Sequence, residues 1–222
     1  MDNTGGYYMR KSFAVIGLGR FGRSIAMELS KLGADVMAID NDEEKVNRLS
    51  DYVTCAINVD VCDTAVLKDS GISNMDAVIV AMADFLEPSI MGVITAKDLG
   101  VPLVIAKARD HVTGEILDKV GADRVVFPER ESGKRISKQL MCSDFLEFFE
   151  ISDTVSLIEL MPKKEWVGRT LKELNLRKEY KINVIAVKEE NDVNVVMDPD
   201  IPLKADCPLI ITVKKTDLKR LM

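Results

Sequence analysis

The chain has 222 residues, 47% of them apolar and 30% charged, which is enough for real cores and a well-solvated surface. Its 30 basic and 36 acidic side chains leave a formal charge of −6, which argues against a protein held to nucleic-acid phosphates, because that requires a basic face. No stretch approaches the ~20 apolar residues of a membrane helix, and the tract 1–11 is polar, without the apolar core of a signal peptide.

Over the first two thirds, apolar runs alternate with amphipathic stretches. Residues 12–16 read as a strand ended by Gly17, and 24–32 show helical spacing through Ile25, Leu29 and Leu32, stopped by Gly33. A second strand at 36–39 closes on Asp40, and a helix at 43–49 is opened by Asn41-Asp42 as caps. There follow a strand at 52–57, a helix at 64–70 and the most apolar strand, 77–81. Next come a helix at 87–99, a strand at 103–106, a helix at 113–120 and a sixth strand at 124–127. The strands look buried on both faces, as a parallel sheet requires, so the fold class is α/β with a doubly wound parallel sheet.

The rhythm changes after Pro128. An amphipathic helix at 129–141 carries Ile136 and Leu140, and shorter segments follow at 155–160, 171–174, 184–187, 193–196 and 209–213. These predict a small α+β domain of roughly 75 residues, a size that usually gains burial from a neighbour or a second copy. The expected division is 1–128, a linker helix over 129–144, and 145–222. The four cysteines, Cys55, Cys62, Cys142 and Cys207, are scattered without a CxxC pair. They read as reduced core thiols of a cytosolic protein rather than a disulfide framework or zinc site.

The strongest local signal is Gly17-Leu18-Gly19-Arg20-Phe21-Gly22, directly after the first strand and before the first helix. The first glycine permits the tight turn, the second lets backbone approach a pyrophosphate, and the third allows close helix–strand packing. The helix N-terminus offers free N–H groups to phosphates. Asp40 lies 18 residues past Gly22 at the end of the second strand, where a carboxylate accepts ribose hydroxyls and repels a 2′-phosphate. Asp60, after the third strand, serves either the adenine edge or the cap of the next helix; Asp63 is the better cap, which leaves Asp60 to the ligand. Hydride chemistry needs a proton donor as well. The single histidine, His111, sits in a turn with no evident partner, and Tyr52 and Tyr180 lack a lysine at reductase spacing. An NAD-dependent oxidoreductase and an NADH redox sensor are therefore the alternatives to a non-enzymatic nucleotide-binding protein.

Taken in order, these residues resemble the RCK (regulator of conductance of K⁺) family, near the regulatory subunits of bacterial Ktr/Trk potassium uptake systems. The resemblance runs over 13–221. Its marks in the first domain are 13–22 (FAVIGLGRFG), Ile39-Asp40, Asn58-Val59-Asp60-Val61, 77–81 (AVIVA), 104–108 (VIAKA), 121–124 (GADR) and Pro128-Glu129. In the second domain they are 156–160 (SLIEL), 174–177 (LNLR) and 204–206 (KAD).

The resemblance implies a Rossmann-like nucleotide-binding domain, a crossover helix and a C-terminal RCK subdomain. It implies no enzyme activity, but a cytoplasmic regulatory ring of dimers, eight subunits in all, beneath a membrane potassium transporter. ATP or ADP, or NAD⁺ or NADH, would set the ring's shape. Gly17, Gly19 and Gly22 would cradle the phosphates with Phe21 beside them, and Arg20 would pair with the terminal phosphate as a fork donor. Asp40 would hold the ribose, Asp60 and Val61 would face adenine, Ala81, Lys107 and Arg109 would line the remaining cleft, and Asn41 and Met82 would complete the cofactor-binding set; Lys107 also reads as an ordinary lysine at a strand end. Glu129 would reach the phosphates with a Mg²⁺, Ca²⁺ or Na⁺ ion relieving the repulsion, or it simply opens a helix, favoured by the dipole. The C-terminal subdomain would bind cyclic di-AMP at its dimer interface, with Arg177 and 182–184 compatible and Lys172 replacing an apolar residue of some relatives.

Overall fold

Runs of β-branched residues and alanine make the first sheet in the computed structural model, which describes residues 10–141, 145–189 and 192–221. The elements in chain order are β1 (Ser12–Ile16), α1 (Arg20–Lys31), β2 (Asp35–Asp40), α2 (Glu43–Leu49), β3 (Cys55–Asn58) and α3 (Thr64–Asp69). They continue with β4 (Ala77–Val80), α4 (Leu86–Asp98), β5 (Leu103–Lys107), α5 (His111–Lys119), β6 (Arg124–Val126) and α6 (Pro128–Met141). The six strands lie in the order β3-β2-β1-β4-β5-β6, all parallel. That is the order of a dinucleotide-type doubly wound sheet, and it reverses direction between β1 and β4.

Helices cover both faces. Ile16, Ile39, Val78 and Val80 pack with Leu67, Val93 and Leu117 on one face. Val15, Val36, Ala38 and Ile79 pack with Ala26, Val46 and Leu49 on the other. Strand β4 is buried throughout, and β1 and β2 are buried except at their first residues; β3 is half exposed, because it forms an edge of the sheet, and it begins three residues later than the pattern predicts. Helix α1 begins four residues before the expected start at residue 24, because Gly19 is itself its N-cap and the helix starts as the glycine turn ends. The cysteine expectation needs correcting: Cys207 is a buried thiol, but Cys55 on edge strand β3 and Cys62 in the turn after it are exposed. Cys142 lies outside the described residues, as does most of the polar tract at the amino terminus.

The chain divides into two units between Glu129 and Arg130. The second contains β7 (Phe145–Glu150), β8 (Val155–Leu160), α7 (Leu171–Leu174), α8 (Leu176–Glu179), β9 (Ile182–Glu189), β10 (Asp192–Asn194) and β11 (Leu209–Lys214). Its antiparallel sheet runs β10-β9-β11-β8-β7. Trp166, Ile158, Leu160, Leu209 and Ile211 form its core. Strand β7 escapes sequence reading because Phe145 and Phe148, its buried residues, stand three apart, and a bulge between Phe145 and Glu147 breaks the period of two. Helix α7 carries a capping box, Thr170 with Glu173, each side chain bonded to the other's backbone N–H.

Asp123 ties three elements of the first unit together. Its carboxylate accepts the Val104 N–H at 2.7 Å and the Lys97 ammonium at 2.9 Å, joining α4, β5 and the turn before β6. We expect Asp123→Ala to lower unfolding free energy by about 1–2 kcal/mol, read by urea denaturation. The Val104 N–H first, and then Lys97, hold this carboxyl below its ordinary value of 3.8. The stabilisation is therefore complete above that value and disappears as pH falls through the lowered one. A pH–stability profile identical in the alanine variant would remove Asp123 from this role.

Candidate functional site

The reversal between β1 and β4 opens a crevice at the carboxyl ends of these strands, the place where such sheets take ligands. Gly17 leaves β1 with φ +92°, and its N–H donates to the Ile39 carbonyl at 2.8 Å, so the turn begins in a backbone region that other residues resist. A Cβ at Gly17 would lie 2.4 Å from Met82 Cγ, and one at Gly22 only 1.9 Å from the Gly17 carbonyl oxygen; at Gly19 it would meet nothing within 4 Å. Gly17 and Gly22 thus serve packing, whereas Gly19 borders open space. The amino end of α1 has no side-chain cap and no acidic residue in its first turn, so its N–H groups and dipole face the crevice uncompensated.

The crevice has two adjoining cavities. One, about 230 Å³, is lined by Ile16, Asp40, Asn41, Asp60, Val61 and Met82, among others. The other, about 390 Å³, is walled by Gly17, Gly19, Arg20, Phe21, Ala81, Lys107 and Glu129, among others. Asp40, Lys45, Met82 and Phe85 line both. Asp40 is buried; its Oδ2 accepts the Leu18 N–H at 2.6 Å, while Oδ1 accepts the Asp42 N–H at 2.9 Å and the Lys45 ammonium at 3.3 Å. Burial works against the Lys45 ammonium, but the charges and hydrogen bonds of Asp40 and Asp42 outweigh it and raise its pKa above the ordinary lysine value.

Lys107 donates to Glu129 Oε1 at 2.6 Å and lies 5.7 Å from the centre of the Phe21 ring. Its side chain is 14% exposed against 70% for Glu129, so the lysine is the buried partner and the carboxylate the solvent-facing one. The hydrogen bond from Lys107 is the main reason the Glu129 carboxyl lies below its ordinary value.

The structure brings twelve of the fourteen sequence-derived candidates to the cavity walls. Gly22 packs behind the turn, and Arg109 is directed to Asp110 at 3.1 Å instead of lining either cavity. Asp63 caps α3, as expected, while Asp60 accepts the Cys62 N–H at 2.9 Å and lines the smaller cavity. Asp42 alone caps α2, with Asn41 left to the cavity. His111 pairs with Glu115 on the surface of α5 at 3.2 Å. Sequence reasoning missed Lys45 and Phe85, which line both cavities; a lysine on a helix surface carries no signal of its own.

Among the described residues no group of three or more His, Cys, Asp or Glu side chains is placed to hold a metal ion. Glu129 contributes a single carboxylate already engaged by Lys107, so its residues alone do not fit a hard cation, which takes six or more oxygens. No helix among the described residues is long and apolar enough to cross a membrane.

Comparison with known proteins places this geometry in a lineage. The TrkA-N domain model matches residues 13–128, and the TrkA-C domain model matches 155–222. The chain is 39% identical to Ktr system potassium uptake protein C of Bacillus subtilis (strain 168) over 212 residues, 96% of each chain. It is 36% identical over 216 residues, 97% of each chain, to Ktr system potassium uptake protein A of the same organism. Among solved structures, the crystal structure of the GsuK RCK domain shares the fold with a TM-score of 0.65 at 18% identity, covering 97% of this chain and 48% of that one. The chain belongs to the family of Ktr and Trk potassium uptake proteins built from a TrkA-N and a TrkA-C domain.

Proposed function

We propose that this chain is a nucleotide-responsive gating subunit of a potassium transporter. One observation carries the reading: a single crevice joins a buried ribose-type acid, Asp40, to a phosphate-type wall made of glycine backbone, a bare helix N-terminus, Arg20 and Lys107. ATP or ADP is the preferred ligand, with NAD⁺ or NADH as the alternative that the same acid would accept. Residues 1–128 hold the nucleotide, 129–144 cross over, and 145–222 form the C-terminal subdomain. The subunits pair and assemble as a ring of eight, in the cytoplasm, against the inner face of the membrane through their transporter partner. Ile136 and Leu140, exposed on α6, support self-association. Relatives named for potassium uptake support the transport reading. His111 on the surface of α5, away from both cavities, speaks against an oxidoreductase.

A nucleotide shifts such a subunit only through its differential affinity for two shapes. ATP and ADP differ by one phosphate, so discrimination belongs to the groups that a terminal phosphate reaches. Lys107 would have to share or leave Glu129 to meet it. A Mg²⁺, Ca²⁺ or Na⁺ ion beside Glu129 would take most of its oxygens from the nucleotide. In the second unit, a cleft of about 400 Å³ whose walls carry Arg177, Lys181 and Lys214 against the single carboxylate of Asp217 supports an anionic ligand such as cyclic di-AMP. Arg177 there donates to Asn183 at 2.7 Å, while Lys172 is paired with Asp200 at 2.6 Å.

The test is calorimetric titration of the purified chain with ATP, ADP and NADH, with and without Mg²⁺. Tight adenine-nucleotide binding, strengthened for ATP by the cation, supports the reading. Preference for NADH turns it towards a redox sensor, and no binding overturns it. We expect Arg20→Ala to reduce the ratio of ATP to ADP affinity by about fivefold to tenfold while leaving the far-ultraviolet spectrum unchanged. Equal ratios in variant and parent would remove Arg20 from the terminal phosphate. Co-purification of a membrane transporter with the tagged chain tests the partner.

A further inference from the structure

Resting on an adenine nucleotide in the crevice, we propose that Lys45 is a specificity-determining residue, which competes with the ribose hydroxyls for the Asp40 carboxylate. A carboxylate offers about four lone-pair positions on two oxygens. In Asp40 two are taken by backbone donors that the fold holds still: Leu18, inside the glycine turn, on Oδ2, and Asp42, the cap of α2, on Oδ1. The Lys45 ammonium takes a third, on Oδ1. One acceptor position remains, on Oδ2, whereas the cis 2′- and 3′-hydroxyls of a ribose bring two donors.

Of the three donors on Asp40, Lys45 is the one that can move. Its side chain is 43% exposed and flexible, and its ammonium has a second acceptor at 3.4 Å in Asp42 Oδ2. It can therefore yield Asp40 without losing ion pairing. Its position fits the role, since Lys45 lines both cavities beside Asp40, where a ribose would connect base to phosphates. The charges point the same way. Asp40, Asp42 and Asp60 face a single lysine among the walls of the smaller cavity, so Lys45 balances a carboxylate excess and does not create a pocket for a 2′-phosphate.

A nucleotide with one ribose hydroxyl binds Asp40 with Lys45 in place, whereas one with both must move it aside. Lys45 thereby weakens the preference for ribonucleotides over 2′-deoxyribonucleotides. The two ligands carry the same base and the same phosphates, so any attraction of Lys45 for phosphate cancels in their ratio.

The experiment is calorimetric titration of the full chain with ATP and 2′-deoxy-ATP, in the parent, in Lys45→Met and in Lys45→Met combined with Asp40→Asn. Lys45→Met should raise the ratio of ATP to 2′-deoxy-ATP affinity by about threefold to fivefold. The added Asp40→Asn should bring the ratio back to the parent value or below. ATP binding with an unchanged or reduced ratio in Lys45→Met overturns the role of Lys45 and leaves the nucleotide site standing. Failure of the parent to bind either nucleotide overturns both.

Discussion

Gly22→Ala should destabilise the first unit by about 3 kcal/mol, lowering its melting temperature by roughly 10 °C, whereas Gly19→Val should cost no more than about 1 kcal/mol, the difference between a good and a poor N-cap. The contrast comes from what a side chain would meet. At Gly22 the new Cβ falls 1.9 Å from the Gly17 carbonyl oxygen and 3.1 Å from Ala81 Cβ. Neither can retreat, because Gly17 is held by the Ile39 carbonyl and Ala81 donates to the Ile16 carbonyl at 2.7 Å. Helix α1 would have to lift from the sheet. At Gly19 the Cβ meets nothing within 4 Å, so the folding cost is limited to that of a poorer N-cap. That space is where a pyrophosphate would approach the backbone, and Gly19→Val should therefore lose nucleotide affinity by at least tenfold. Differential scanning calorimetry with and without ATP separates the two effects. A stable Gly19→Val chain that binds ATP like the parent would count against the crevice.

Trp166→Ala should remove about 3–5 kcal/mol from the second unit, the largest loss we expect from any single side chain there. Trp166 is 1% exposed and meets the Tyr180 ring edge to face, with centroids 5.0 Å apart. The Lys163 ammonium lies over both rings, 5.9 Å from the indole and 5.3 Å from the phenol. The indole N–H is buried without a hydrogen-bond partner among the described residues. Trp166→Phe removes that unsatisfied donor along with some volume, so it should cost only about 1 kcal/mol. Urea denaturation followed by circular dichroism measures both, since fluorescence from the only tryptophan is lost. Equal losses in the two variants would mean that the indole N–H is satisfied and contributes to the fold.

Much of the candidate site is local in the chain, and that is why it was legible. Gly17, Gly19 and Gly22 belong to one strand–turn–helix, and Asp40 ends the neighbouring strand, so spacing alone brings them together. Lys107 and Glu129 are 22 residues apart, and Lys107 entered through the family resemblance, since by itself it reads as an ordinary lysine at the end of β5. Arg109, two residues further, has the same sequence credentials, yet a carboxylate next door claims it. Lys45 was invisible for the opposite reason: on a helix surface it looks like any solvated lysine, and only the burial of Asp40 beneath it gives it a partner. Phe85 reaches the cavities because the chain turns into α4 there, which no periodicity records.

By itself the sequence determined the alternation of strand and helix, the glycine turn, the acid at the end of β2 and the change of architecture near Pro128. Each of these follows from short-range stereochemistry and from the burial demanded of a parallel sheet. Tertiary structure alone decided which strands lie at the edges and hence that Cys55 is exposed. It also decided that the bulge in β7 interrupts its alternation, and which charged groups meet: Lys45 with Asp40, Lys107 with Glu129, Arg109 with Asp110. Those outcomes depend on the distance between groups and on how far burial removes water from between them, and neither quantity is carried by the order of residues along the chain.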